Sequence, residues 1–168
     1  FRSHPEAMLV LVGDGPYRAE AQRLASQLGI GDRVRFDGFV PREQVDAYYA
    51  AADLFMFASV TETQGLVVNE AMAYSLPAVV VTGGGAGASV LSGENGLLVS
   101  NDPAAIGQAV ETILQDEALY AAMAKRAAQT GRGYGLAEMA SRVLGIYEQV
   151  LRKDHVHQEA ERSAPMPH

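Results

Sequence analysis

Short apolar runs of strand length, each closed by a turn residue, alternate along this chain with longer segments of helical spacing, and that alternation leaves few folds open. Met8–Val12 is continuously apolar and ends at Gly13-Asp14-Gly15-Pro16, the pattern of a strand buried on both faces. Val34-Arg35-Phe36 alternates and ends at Gly38, Leu54–Phe57 reads as another buried strand, and Ala78–Val81 and Gly96–Val99 complete the set. Between them the spacing predicts a helix over Tyr17–Leu28, stopped by Gly29, and one over Pro41–Ala52, with Pro41 at a first helical position and Glu43 in the favourable first turn. A third runs from Gly65 to Ser75, where Pro77 forbids extension. Asp102–Gln115, opened by Asp102 as N-cap, Glu117–Thr130 and Leu136–Leu151 read as further helices. Parallel strands joined by right-handed helical crossovers make the expected fold α/β, a Rossmann-like doubly wound parallel sheet with helices on both faces. Residues 1–151 are expected to form that domain. Residues 152–168, with mixed charge and two late prolines, are expected to be a loosely held tail.

A chain of 168 residues, 48% hydrophobic and 20% charged, is globular and long enough to bury one core. Its net charge of −7 argues against a non-specific grip on nucleic acid, which requires basic surface. Substrate phosphates would have to be held by backbone amides and a few placed residues. The absence of cysteine excludes disulfides and thiolate metal sites and fits a reducing, cytoplasmic compartment. No apolar stretch approaches the roughly 20 residues of a membrane span. Phe1-Arg2-Ser3-His4-Pro5 lacks the features of a signal peptide and reads as the frayed end of a helix. His155 and His157 lie in a polar stretch and read as solvated, and no aspartate pair suggests chelation, so neither metal nor cofactor is expected.

Ligands of such sheets bind beyond the carboxyl ends of the strands, where Gly13, Gly38, Glu62 and Gly83 should all lie. The most specific segment runs from Ser59 to Val80, with Glu62, Gln64-Gly65-Leu66, Glu70-Ala71-Met72-Ala73 and Pro77 in order. At about 1.5 Å of rise per residue, Glu70 remains near the entrance of its helix. The exposed N–H groups from Gln64 to Val67 can receive an anion or sugar hydroxyls, and Gly65 removes a side chain that would collide with a ligand.

This segment resembles the E-x7-E signature of family-4 retaining glycosyltransferases, in the C-terminal donor-binding domain of the GT-B architecture. The resemblance implies that Glu70 holds the ribose of a sugar nucleotide, and that Glu62 is the catalytic carboxylate beside the transferred sugar. Gly65 and Leu66, with Gln64 before them, are implied to contact the donor through the helix entrance. Val10–Pro16 is similar to the family's Val-Gly-x-Gly-Pro turn. Phe36-Asp37-Gly38-Phe39-Val40-Pro41 is similar to the stretch lining the nucleobase pocket, and Asn95–Val99 to the closing strand. Gly13, Gly38, Phe39 and Val40 thereby join the implied donor site. The likeness covers residues 8 to about 151. It departs at Ser75, where the family generally has glycine, and at Ala88, where it usually has glutamate.

The family opens this domain with a strand, a loop whose Arg and Lys clamp the diphosphate, and a helix whose end aligns with Phe1–Glu6. Its acceptor-binding N-terminal domain also lies outside this sequence. One helix terminus contributes roughly 0.3–1 kcal/mol, up to ~2 when partly buried, against the ~8 kcal/mol or more that enzymes remove from a barrier. The chain alone is therefore expected to be inactive. Thr61-Glu62-Thr63-Gln64-Gly65 resembles the diacylglycerol glucosyltransferase branch, which implies UDP-glucose as donor, a lipid acceptor, and a whole protein peripheral at the inner membrane surface.

Other readings stand beside this one. Gly83-Gly84-Gly85-Ala86-Gly87 reads either as a phosphate nest, without the lysine of a P-loop, or as a flexible loop near the donor. Gly13 and Gly15 could form a plain turn, and Arg18 breaks the dinucleotide fingerprint G-x-G-x-x-G. A nucleotide-sugar 2-epimerase shares the two-domain architecture. A nucleotide-binding module without catalysis is the reading from a different class.

Overall fold

The computed structural model describes residues 4–162, without the side chains of Leu136 and of residues 153–162. His155 and His157 thus lie outside the described side chains. The strands are β1 (Leu9–Val12), β2 (Val34–Gly38), β3 (Phe55–Phe57), β4 (Ala78–Val81) and β5 (Gly96–Val99). The helices are α1 (Arg18–Gln27), α2 (Arg42–Ala51), α3 (Leu66–Ala73), α4 (Pro103–Gln115), α5 (Glu117–Arg132) and α6 (Leu136–Arg162). Each predicted element forms within a residue or two of its expected bounds, except that α6 continues past Leu151 to Arg162. Two 3₁₀ turns, Gly31–Arg33 and Gly85–Ser89, have no counterpart in the sequence reading. No described helix is long and apolar enough to cross a membrane.

All ladders are parallel, as expected of an α/β Rossmann-like chain. They form two groups, however, β1-β2 and β3-β4-β5. In the common doubly wound order 3-2-1-4-5-6 these groups match the flanks of the first position. β1 and β3 therefore each keep one edge without a ladder partner among the described residues. This corrects the expectation that Met8–Val12 is buried on both faces: Val10, Leu11 and Val12 are 39%, 39% and 44% exposed. The apolar run does form a strand, but one neighbour cannot cover it. Met56 in β3 is exposed for the same reason, between half-buried Phe55 and Phe57.

The core gathers instead around β4, whose four residues are all buried. Ala78 and Val80 face Val68 and Met72 of α3, while Val79 faces the opposite way, onto Ala109 and Ile113 of α4 and Met123 of α5. That is the two-residue period of a strand covered on both sides. A third cluster joins Tyr49 of α2 to Ala71 and Leu76. Asn95, fully buried before β5, donates from Nδ2 to the Ser89 carbonyl and the Thr130 hydroxyl and accepts from the Leu91 amide, tying the loop after β4 to α5.

Helices α1 and α3 end alike. After α1, Ile30 N–H donates to Ala25 and Gly29 N–H to Ser26; after α3, Leu76 N–H donates to Ala71 and Ser75 N–H to Met72. Both are Schellman closures, whose pivot residue adopts a left-handed conformation. Gly29 does so freely at φ 68°, whereas Ser75 does so at 67° as the one non-glycine residue with positive φ among the described residues. A side chain there costs roughly 1–2 kcal/mol, partly offset by the ~0.4–1 kcal/mol that glycine's freedom adds to the unfolded state. Ser75→Gly is expected to raise unfolding stability by about 0.5–1 kcal/mol, and Gly29→Ala to lower it. Denaturant midpoints of the two variants check this; a loss of stability in Ser75→Gly refutes the strain argument.

Candidate functional site

The loop from Ser59 to Gln64 approaches α3 against the glycine segment 83–87. Gly85 N–H donates to the Glu62 carbonyl at 2.6 Å. A methyl group on Gly84 would press on the backbone of Val60 and Glu62, and one on Gly85 would overlap the Thr63 carbonyl. Gly65, at φ 63°, turns the chain into α3 where a side chain would meet the backbone of Ala86. Ala86 itself is buried. Gly84 and Gly85 thus act as a backbone-on-backbone brace, in place of a flexible loop.

The brace fixes Glu62 in an unexpected way. Its Oε1 accepts from the amides of Thr63, Gln64 and Gly65 at 2.9, 3.1 and 3.3 Å. These three hydrogen bonds, Gln64's the largest and then those of Gly65 and Thr63, hold the carboxyl below its ordinary range and keep it ionised at neutral pH. Part of the helix entrance expected to receive a ligand is therefore occupied by this carboxylate. Val68 N–H donates back to Gly65, so Leu66 and Val67 carry the amides with no acceptor among the described residues.

Glu70 lies one turn into α3 with its side chain 35% exposed. Helix α2 holds both of its oxygens: Tyr49 donates to Oε2 at 3.1 Å, and Arg42 donates to Oε1 at 3.4 Å. Burial, then the Glu70 charge, push the Tyr49 hydroxyl far up its range, so it stays a donor. Arg42 also pairs with Asp46 at 2.9 Å. Neither Arg42 nor Tyr49 belongs to the expected site. A signal existed: Arg42 directly follows the Phe36–Pro41 stretch, and Tyr49 repeats its helical face seven residues on.

Gln64, Leu66 and Glu70 line a cavity of about 610 Å³ beside α3. The remaining predicted residues form a second cluster at the carboxyl ends of β1 and β2. Gly13 N–H donates to the Gly38 carbonyl at 2.7 Å, both glycines have positive φ, and Arg18 reaches over Gly38 to donate to the Phe36 carbonyl at 2.8 Å. Phe39 stands 82% exposed and Val40 is half-buried. The cavity does not reach these four residues; Arg42, two residues beyond Val40, pairs with Glu70.

This arrangement can do several things at once. It offers a carboxylate with free lone pairs, two unoccupied helix-entrance amides, an ionised second carboxylate and an exposed aromatic shelf. Such groups suit a ligand with a diol, an anion and a flat ring. Residues 1–130 match the family model described as Glycosyl transferases group 1, and the chain belongs to that family. It is 35% identical over 130 residues to D-inositol 3-phosphate glycosyltransferase 1 of Catenulispora acidiphila, a match spanning 77% of this chain and 31% of that protein. It is 28% identical over 155 residues to alpha-monoglucosyldiacylglycerol synthase of Acholeplasma laidlawii, spanning 92% of this chain and 39% of that one. The crystal structure of Anabaena HepE in complex with UDP superposes with a TM-score of 0.77 at 27% identity, over 86% of this chain and 42% of that one. The same protein has also been solved with UDP-glucose. This chain accordingly spans only 31% and 39% of the length of the two relatives.

The lowered Glu62 pKa has a direct consequence. Its folded value lies below its unfolded one, so the contact with the three amides stabilises at neutral pH and is lost on acidification through the folded value. The amide proton shifts of Thr63, Gln64 and Gly65 should titrate together below the ordinary carboxylate range. That titration should vanish in Glu62→Gln. A midpoint at or above the ordinary range, followed by NMR, contradicts the three-amide grip.

Proposed function

We propose that this chain is the donor-binding half of a glycosyltransferase that moves a hexose from a nucleoside diphosphate, with UDP-glucose as donor and retention of configuration. The observation that carries the reading is Glu70. Each of its oxygens accepts one hydrogen bond from α2 and keeps a further lone pair, so the carboxylate can take two adjacent ribose hydroxyls without losing its supports. Phe39, Val40, Gly38 and Gly13 would then flank the base, on the side to which Arg42 connects Glu70. The diphosphate would lie against the amides of Leu66 and Val67, beside the three amides that the Glu62 carboxylate already holds. It would be held by protein groups without a metal.

As the bond to the sugar breaks, negative charge grows on the diphosphate and positive charge on the sugar carbon. Fixed dipoles at the α3 entrance favour the first. Glu62, kept anionic by its own helix entrance, favours the second. Glu62 is thus read as an electrostatic partner of the transferred sugar; a proton donor would need a raised pKa, the reverse of what its hydrogen bonds produce. Full turnover is assigned to a longer protein that also contributes an acceptor domain and cations for the diphosphate. The Thr61–Gly65 variant and the likeness to alpha-monoglucosyldiacylglycerol synthase support a lipid acceptor at the inner, cytoplasmic membrane surface.

Calorimetry with UDP and UDP-glucose tests the donor reading. Glu70→Ala removes a charged hydrogen-bond acceptor, an interaction of about 1.5–3 kcal/mol, so affinity should fall by roughly tenfold to a hundredfold. Unchanged affinity in that variant refutes the assignment. For the acceptor, the whole protein incubated with UDP-glucose and diacylglycerol should yield a glucosylated lipid. Absence of that product counts against this branch.

A further inference from the structure

Glu70 belongs to a closed circuit of side chains, of which the donor reading uses only the two contacts that Glu70 itself makes. Arg42, Asp46 and Tyr49 follow one another at helical spacing and so share one face of α2. Arg42 splits its fork between two carboxylates: Nη1 donates to Asp46 at 2.9 Å, and Nη2 donates to Glu70 at 3.4 Å. The first is an ordinary hydrogen-bond length and the second lies beyond it, so Asp46 has the firmer hold. The same order appears in what raises the Arg42 guanidinium, the hydrogen bond to Asp46 first and the charge of Glu70 after it. Tyr74, at the close of α3, completes the circuit. Its ring stacks on that of Tyr49 at 5.7 Å, and Tyr49 in turn donates to the other oxygen of Glu70. Burial first, then the charge of Asp46 and a hydrogen bond to it, raise the Tyr74 hydroxyl above its ordinary range, which keeps it a donor to that carboxylate. Asp46 is thereby held from two sides, although it and Arg42 are both exposed.

A guanidinium is a planar fork that fits both oxygens of one carboxylate, and such bidentate pairs are stronger than single contacts. Arg42 already stands within reach of Glu70. What keeps the fork from closing over it is the grip of Asp46 on Nη1. A closed fork would fill one lone pair on each Glu70 oxygen, and Tyr49 occupies another on Oε2. The carboxylate would then have little left to offer a pair of hydroxyls. We infer that Asp46 is a positioning residue for donor binding: by holding Arg42 to one side, it leaves Glu70 open to two adjacent hydroxyls. Asp46 acts through Arg42 and makes no contact with the ligand. Arg42, a support of Glu70 while it is held, becomes a competitor for the same oxygens once it is released. This rests on the donor reading above, in which Glu70 takes the ribose, and the two stand or fall by different measurements.

Calorimetry with UDP and with 2′,3′-dideoxy-UDP provides the test, on the unmodified chain, Asp46→Ala, Arg42→Ala, the double variant and Glu70→Ala, each with circular dichroism to verify folding. Asp46→Ala is expected to lower UDP affinity by about fivefold to tenfold, because the hydroxyls must first displace a bidentate ion pair. Arg42→Ala removes a support but leaves no competitor, and is expected to cost about threefold or less. The double variant is expected to match Arg42→Ala, so that deleting Arg42 restores the affinity lost with Asp46. Such a reversal of sign marks a direct coupling between the two residues, and a general loosening of α2 does not produce it. The dideoxy nucleotide offers Glu70 no hydroxyls, so Asp46→Ala should bind it no more weakly than the unmodified chain does. Additive losses in the double variant, equal losses for both nucleotides, or unchanged UDP affinity in Asp46→Ala overturn the inference. If Glu70→Ala still weakens UDP binding in those cases, the donor reading stands. Failure of the unmodified chain to bind UDP overturns both. Should Asp46→Ala not fold, Asp46→Asn, which keeps the shape and removes the charge, takes its place with the same expected outcomes.

Discussion

Two backbones approach one another at the entrance of α3 more closely than side chains would permit, and the rest of the site follows from that approach. Gly84 and Gly85 meet the carbonyls of Val60, Glu62 and Thr63, and Gly65 meets Ala86. The segment before α3 has therefore only one course, which leaves the Glu62 carboxylate folded over the first amides of its own helix. A single constraint sets both where the negative charge stands and which amides remain for a ligand. Glycine serves here by the absence of a side chain, and at Gly65 by its left-handed backbone as well.

The other half of the site is governed by α2, which connects the core to the carboxylate of Glu70. Tyr49 packs among Ala71, Leu76 and Phe55, with its ring edge-on to Phe55 and stacked on Tyr74. Its hydroxyl emerges from that packing to hold Glu70. Such a ring has little rotational freedom, so the direction of the hydrogen bond is inherited from the hydrophobic contacts beneath it. Packing inside the molecule thereby determines how a polar group is presented outside it.

Most of the architecture was legible because length and pattern agree: runs such as Ala78–Val81 are too short for helices, and their glycine and proline boundaries fall where elements end. Glu62, Gln64, Gly65, Leu66 and Glu70 were legible as a group because one loop and one helix carry them all. Burial was not legible for β1. Four apolar residues in sequence state what a strand prefers, not whether neighbours exist to cover it. The glycine brace stayed open between two readings because sequence shows conformational freedom and cannot show the facing backbone that uses the space. Arg42 and Tyr49 escaped because each acts across a tertiary contact, from a helix whose own pattern reads as ordinary amphipathic surface. Ser75 reads from the sequence only as a departure from the family's glycine, and the difficulty it brings lies in its backbone angle.

The edges of β1 and β3 that have no ladder partner among the described residues bear on how this polypeptide behaves in bulk. An unpaired strand edge with apolar residues on either face is a template on which another copy can add. What opposes this is mutual repulsion, since each molecule carries a formal charge of −7 at pH 7. That protection fades as the solution approaches the isoelectric point near pH 5.0, and added salt screens it well before then. Colloidal behaviour in this chain is accordingly a contest between strand edges that attract and a surface charge that keeps them apart.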